Sequence, residues 1–377
     1  MKHTEQSDER VLTIQREAWS RREFVRRAAG LGAGLTLLPP LLAAACRRGD
    51  QGASASDELG PIERELHIYN WSDYIAEDTV PNFEREFGVR VTYDTYESNE
   101  EMVAKLLAGA TGYDIVVPSG YIVPVLAGTN LIAPINRNYL PNFANLSPLF
   151  QDLPADPGNR YTVPWHWGTS GIAYRTDKVS GPVDSWAIFQ DPTYAGKMTM
   201  MDDSREVIGS QLRYRGHSLN STDPGQLSQA KADAIIAKKQ LRAYLSAPVK
   251  PQLISGDVWI AQLWNGDTAQ AKTEQPNLGY VVPKEGCTIW TDSMCVPRSA
   301  RNRRAAHEWI NYILRPEVAA AISRVTGYGT PNAAAARMMK NPLPYPTESE
   351  LARLEYPADL GKDTATWDRI WTEIKSA

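Results

Sequence analysis

The sequence predicts an α/β fold built on parallel strands, and three observations predict it. Strand-patterned and helix-patterned segments alternate between Leu66 and Pro118, which is the signature of a parallel sheet. Of 377 residues, 42% are hydrophobic and 22% charged, a balance that supports a packed core and excludes wholesale disorder. The length suits about two domains. With 40 Lys and Arg against 44 Asp and Glu, the net charge of −4 excludes the basic footprint of a general nucleic-acid binder. There are 11 Trp and 17 Tyr against 6 Phe, so rings with a polar handle dominate, as suits surfaces that are partly wet and partly apolar.

Residues 1–45 read as an export signal. Ser20-Arg21-Arg22-Glu23-Phe24-Val25-Arg26 is a twin-arginine pattern. The Ala/Gly/Leu-rich run after it, Ala28 to Ala45, is short for a membrane span. It ends in Leu42-Ala43-Ala44-Ala45-Cys46, and two readings stand: a lipoprotein box with lipid on Cys46, or cleavage after an Ala-x-Ala sequence. Residues 1–45 carry seven basic and five acidic side chains; the remainder holds 33 against 39, a net of −6 that is compatible with a cationic ligand. Residues 46–61, rich in Gly, Ser, Ala and Asp, read as a flexible tether.

Ordered structure is expected from about Ile62. Leu66-His67-Ile68-Tyr69 reads as the first strand. Asp78 to Phe87 places Val80, Phe83 and Phe87 on one helical face, and Gly88 fits just past its end. Val89 to Tyr93 reads as the second strand, and Ser98-Asn99-Glu100-Glu101 as a capping box opening a helix through Leu107. Asp114-Ile115-Val116-Val117-Pro118 is an apolar strand stopped by its proline. Ligands of such sheets sit beyond the carboxyl ends of the strands, where Trp71-Ser72-Asp73-Tyr74 and Ser119-Gly120-Tyr121 stand. Val163 to Gly168 then leaves the first lobe, and Ile172-Ala173-Tyr174 starts a strand in the second. Helices are expected at Glu206–Arg215, Ala230–Ser246, Ser255–Gln262, Asn302–Val325 with Pro316 as a divider, and Ala365–Lys375.

The chain displays no Gly-x-Ser-x-Gly elbow, Walker loop or His-Glu-x-x-His. Gly30-x-Gly32-x-Gly34 lies in the leader and follows no strand. His67, His166, His217 and His307 are scattered and read as structural or surface residues, and no Cys/His cluster suggests a zinc site or another cofactor. Cys287 and Cys295, eight apart, leave two readings: a disulfide closing a short loop, or two small buried hydrophobes.

What recurs is an indole near a carboxylate. Trp71 precedes Asp73 and Tyr74, Trp264 precedes Asp267, Trp290 precedes Asp292, and Asp203 stands three before Glu206. A ring face attracts a cation and packs on methylenes, while a carboxylate holds an ammonium by a charge-assisted hydrogen bond. Converging, they suit a slender ligand with apolar segments between positive ends. Each has a plainer reading beside it: Asp203 with Glu206 as a helix capping box, Trp264 and Trp290 as core, Asp267 as a turn residue after Asn265-Gly266, and Ser72 and Ser119 as caps.

Taken together, these residues resemble the bacterial spermidine/putrescine-binding proteins that feed polyamine ABC transporters. The resemblance runs from about Leu66 to Tyr328 and rests on eight ordered stretches: Tyr69 to Tyr74, Tyr96 to Glu100, Asp114 to Ser119, Asp203 to Val207, Leu263 to Gly266, Pro283 to Gly286, Trp290 to Ser293 and Gly327 to Asn332. It implies a two-lobe periplasmic-binding-protein fold of type II, each lobe a mixed sheet flanked by helices, with the ligand in the cleft between them. The implied lobes are residues 62–168 with 292–336, and 169–291 with 337–377. Trp71, Trp264 and Trp290 are implied as aromatic walls, with Tyr121 and Tyr328 alongside. Ser72, Tyr74 and Ser119 are implied as polar contacts, and Glu206, Asp292 and Asp203 as ammonium partners. Asp73 and Asp267 match acidic positions of the putrescine-preferring branch, so the chain mixes two branches. Pro357 stands where spermidine-preferring members carry a Gln, so no side-chain amide is offered there. The implied protein is an exported monomer, periplasmic or lipid-anchored, that delivers a polyamine to a membrane permease and is not an enzyme. The alternatives are the same scaffold binding another small cation or metabolite, and an anchored extracytoplasmic enzyme.

Overall fold

The expected alternation builds the first sheet. β1 (Glu65–Trp71), α1 (Thr79–Phe87), β2 (Arg90–Tyr96), α2 (Asn99–Leu107) and β3 (Ile115–Val116) form a parallel sheet in the order β2-β1-β3. This computed structural model describes residues 58–96, 98–108, 112–246, 248–339 and 346–377; the twin-arginine segment, Cys46 and the tether as far as residue 57 lie outside the described residues. α1 stops at Gly88, whose φ of 66° is the left-handed conformation that glycine adopts without strain. Ser98 opens α2 by accepting from the Glu101 amide. β3 is shorter than expected, two residues long, and Asp114 just before it still donates its amide to the His67 carbonyl at 2.8 Å. The buried Asp114 carboxylate accepts from the amides of His67, Arg301 and Asn302 and from the Asn302 side chain, at 2.9–3.0 Å.

The chain continues through α3 (Val123–Gly128) and β4 (Ile132–Ala133) into β5 (Val163–Arg175). The sequence suggests an exit and a new strand here; the structure has one continuous strand of 13 residues. Its start, Val163 and Trp165, packs in the core around β1, α1 and Trp309, while Ile172 packs in a second core. β6 (Met198–Met200), α4 (Ser204–Tyr214), α5 (Pro224–Lys238), β7 (Leu241–Tyr244), α6 (Val249–Ser255), β8 (Ile260–Trp264), α7 (Asn265–Glu274), β9 (Leu278–Val281) and β10 (Thr288–Met294) build that second unit. Its sheet runs β10-β5-β8-β6-β7, with β9 also on β5. β11 (Val296–Pro297) returns to pair with β4. α8 (Arg303–Ile313) and α9 (Pro316–Thr326) divide at Pro316, which sits at the first position of α9 where its missing N–H costs nothing. α10 (Ala333–Met338), α11 (Glu348–Leu351) and α12 (Thr364–Ser376) complete the chain.

Three expectations are corrected. The helix expected through Ser246 ends at Lys238, and Leu241–Tyr244 is the edge strand β7, because parallel pairing with β6 outweighs local helix propensity. The helix expected over 255–262 does not form. Gly256, at φ 83°, ends α6, and Ile260 to Leu263 are buried on both faces between β5 and β6, as a central strand requires. Cys287 and Cys295 are free, buried in separate clusters at the two ends of β10. Eight extended residues span roughly 25 Å, far beyond a disulfide's Cα reach of about 7 Å.

Asp114 satisfies four donors that join β1 to the start of α8. Asp114→Ala leaves those part-buried donors without their acceptor, so we expect a loss of about 2 kcal/mol, read as a lower urea midpoint with an unchanged slope.

Candidate functional site

The site is floored by the two strands that pass between the cores. Alternate residues of a strand share a face, so Thr288, Trp290 and Asp292 of β10 lie together, with their β5 partners Ser170, Gly168 and His166. Gly168 is required there, because a Cβ would collide with the Trp290 ring and the Asn265 carboxamide. Trp290 Nε1 is buried and takes no partner. Asp292 is 6% exposed. Its Oδ2 accepts the Tyr74 hydroxyl at 2.6 Å, and its Oδ1 takes no hydrogen bond. Burial pushes this carboxyl up to about 6, against the opposing pull of Tyr74 and Ser119. The register shifts just after Asp292, a bulge of the kind that aims a side chain.

The first sheet supplies one wall. Trp71 donates from Nε1 to the Val117 carbonyl at 2.9 Å and leans on Tyr96, with centroids 4.7 Å apart. Ser72 is half-buried. Asp73 is exposed at the rim, in the left-handed region at φ 53°. Ser119 bridges its backbone to Asp292. Asn99, the first residue of α2, holds this wall: its Oδ1 accepts the Ser119 amide at 3.1 Å and its Nδ2 donates to the Tyr121 hydroxyl at 3.0 Å.

The second unit supplies the opposite wall. Asp203 caps α4 by accepting from the amides of Arg205 and Glu206 at 2.7 and 3.2 Å. Glu206 does not complete that box. Its carboxylate accepts instead from Ser170 at 2.9 Å and Thr288 at 3.0 Å. Burial, then the charge of Asp203, raises the Glu206 carboxyl to about 8. Trp264 enters α7 and packs against cores on both sides. Asp267 is a buried residue in the first turn of α7, not a turn residue. It accepts the Tyr328 hydroxyl at 2.8 Å, and burial raises its carboxyl. Tyr328 lies against Gly266, 5.2 Å from Tyr74 and 5.3 Å from Trp290.

The structure thus gathers Tyr74, Ser119, Trp290, Asp292, Asp267 and Tyr328 at one end of the β10 face and sets Glu206 with Asp203 at the other, while Asp73 stays at the rim. Sequence reasoning missed Thr288, Ser170, Asn99 and His166. Thr288 was within reach by counting back in twos from Asp292; the others depend on long-range packing. His166 sits edge-on to Tyr74 at 4.8 Å, and burial pushes its imidazole down to about 3, so it is a neutral spacer. Pro357 follows Tyr356, which meets Thr291 at 3.4 Å on the other face of β10. Among the described residues, no group of His, Cys, Asp and Glu is arranged to hold a metal.

The raised Glu206 carboxyl links folding to pH. The folded chain keeps a proton that the unfolded chain loses near its ordinary value of 4.5. That stabilisation is complete below the unfolded pKa and is lost as pH rises through about 8. The melting temperature of the ligand-free protein is expected to fall across this window, and Glu206→Gln to flatten the fall. An unaltered profile in that variant would contradict the burial assigned to Glu206.

Residues 79–346 match the family described as bacterial extracellular solute-binding proteins. The chain is 34% identical over 343 residues to the spermidine/putrescine-binding periplasmic protein of Salmonella typhimurium, covering 89% of this chain and 97% of that one. It is 35% identical over 344 residues to the putrescine-binding periplasmic protein PotF of Escherichia coli, covering 84% and 93%. The solved spermidine/putrescine ABC transporter substrate-binding protein PotD of Streptococcus pneumoniae superposes with a TM-score of 0.77 at 31% identity, covering 83% of this chain and 99% of that one. The fold is therefore the two-lobed α/β binding-protein fold expected from the sequence, and the chain belongs to the bacterial extracellular solute-binding proteins.

Proposed function

We propose that this chain is an extracytoplasmic polyamine-binding protein that delivers spermidine or putrescine to an ABC importer. The observation that carries this reading is Asp292, a buried carboxylate with one oxygen that takes no hydrogen bond, set beside the Trp290 indole. A buried ionised carboxylate without a counter-ion is costly, so the site calls for a cation. The relatives named above are described as binding spermidine and putrescine, which supports the same ligand class here.

Trp71, Trp264 and Trp290 then flank the methylenes, with Tyr121 and Tyr328 alongside. Ser72, Tyr74 and Ser119 give polar contacts, and Asp73, Asp203, Glu206, Asp267 and Asp292 meet the ammonium groups. Residues 62–168 with 292–336 act as one lobe and 169–291 with 337–377 as the other, hinged where β5 and β10 cross. Ligand touching both lobes favours the closed form, because only there are all its contacts made. The closed protein presents the ligand to a membrane permease. Among the described residues no helix is long and apolar enough to cross a membrane. The twin-arginine leader would export the chain, which is then either periplasmic or lipid-anchored at Cys46, and it acts as a monomeric receptor, not as an enzyme.

Calorimetry tests the reading. Asp292→Asn and Trp290→Ala are each expected to weaken polyamine binding at least tenfold, about 1.4 kcal/mol. Unchanged affinity in both, or neutral diols binding as well as diamines, would end it.

A further inference from the structure

The strands that floor the cleft have a second face. Ile289 and Thr291 alternate with Thr288, Trp290 and Asp292 along β10, so they point to the rear, and Trp167 of β5 is the register partner of Thr291. Behind the strands a separate apolar cluster forms. Phe150, Leu153, Trp167 and Ile289 are buried together, and the half-buried Leu351, Leu354 and Tyr356 pack against them. The rings of Phe150 and Trp167 lie 5.3 Å apart.

Two segments build this cluster, and each is fixed to a different core. The segment of Phe150 and Leu153 belongs to the first. Gln151 Nε2 donates to the Leu146 carbonyl at 2.7 Å, and Leu146 is buried with β1 and α8. Asn159 Nδ2 donates to the Phe150 carbonyl at 2.8 Å and fixes the turn. The segment of Leu351 and Tyr356 belongs to the second. Arg213 of α4 donates from Nη2 to the Arg353 carbonyl at 3.2 Å. The Glu355 carboxylate accepts from the Leu219 amide and from Asn220 Nδ2, both at 3.0 Å, just past α4. The Glu355 backbone also rides on the edge of β10: its amide donates to the Cys287 carbonyl at 3.2 Å, and its carbonyl accepts the Ile289 amide at 3.1 Å.

In the two lobes proposed above, the cleft lies in front of β5 and β10 and this cluster lies behind them. Rotation about the strands moves front and rear in opposite senses. As the cleft walls approach, the rear segments part, and the apolar surface they share returns to water. The cluster therefore opposes closure. The apparent affinity of a ligand that needs the closed form falls with the fraction of molecules able to reach it.

Resting on the two-lobe polyamine reading, we propose that the apolar cluster behind β5 and β10 sets binding strength from outside the ligand site, scaling the affinity of every ligand by one common factor. Its size then tunes how tightly the protein binds and leaves its choice of ligand alone. Leu351 is the clearest handle, because it packs in this cluster and in neither core, and alanine suits its place in α11. Phe150 is the handle on the other lobe.

The test is calorimetry of the full chain with putrescine and spermidine, together with small-angle scattering of the ligand-free protein. Leu351→Ala and Phe150→Leu are each expected to bind both amines about threefold tighter or more, with the ratio between the amines as in the parent. The double variant is expected to gain less than the product of the two, because both changes loosen one contact. Ligand-free Leu351→Ala is expected to have a smaller radius of gyration than the parent. Unchanged or weakened binding in either single variant, or an altered ratio, overturns the role of the cluster and leaves the polyamine reading in place. If the parent binds neither amine, the polyamine reading falls and the radius alone decides: equal radii in Leu351→Ala and the parent overturn the cluster as well.

Discussion

The antiparallel pairing of β5 with β10 is the constraint on which the rest of the molecule depends. Both strands run from one core to the other: Val163 and Met294 are buried with β1 and α8, while Ile172 and Cys287 are buried with α4 and α5. Strand alternation then places Thr288, Trp290 and Asp292 on a single face between the cores. Gly168 allows the indole to lie against β5, and the bulge after Asp292 sets its carboxylate under Tyr74. Slippage of this ladder by one residue would turn all three side chains away from the cleft.

The chain treats its structural acids and its site acids differently. Asp177 faces Arg175 at 2.7 Å, Asp233 faces Arg215 at 2.6 Å, and Asp114 is satisfied by backbone amides and an asparagine. Those acids are matched within the protein. In the site, Asp292, Asp267 and Glu206 are held by the hydroxyls of Tyr74, Tyr328, Ser170 and Thr288. A hydroxyl orients a carboxylate without cancelling its charge, so the field stays available to a cation. Burial then raises all three carboxyls, a cost that an ammonium group would relieve in the proposed polyamine complex. The abundance of Tyr over Phe has the same logic: Tyr74 and Tyr328 pack as rings and donate as hydroxyls.

Much of this was legible in the residues alone. Period-two and period-3.6 patterns, a glycine after Phe87, a serine before Asn99 and a proline at 316 place β1 to β3, α1, α2, α8 and α9 with their ends nearly right. The recurrence of an indole beside an acid marked Trp71, Trp264 and Trp290 with Asp73, Asp267 and Asp292 as one chemical theme. Local pattern failed where neighbours decide. Leu241 to Tyr244 and Ile260 to Leu263 are strands because β6 and β5 lie beside them, and no window of sequence contains those partners.

Local chemistry therefore determined the element types, the caps and the kinds of side chain on offer, since each depends on residues within a few positions. The tertiary structure alone decided the role of each candidate. Asp203 and Glu206 read as a capping box until Ser170 and Thr288, 36 and 82 residues away, take the Glu206 carboxylate. Cys287 and Cys295 are close in number yet lie at opposite ends of an extended strand. Burial, and with it the energy of every charge here, comes from segments that meet only after folding.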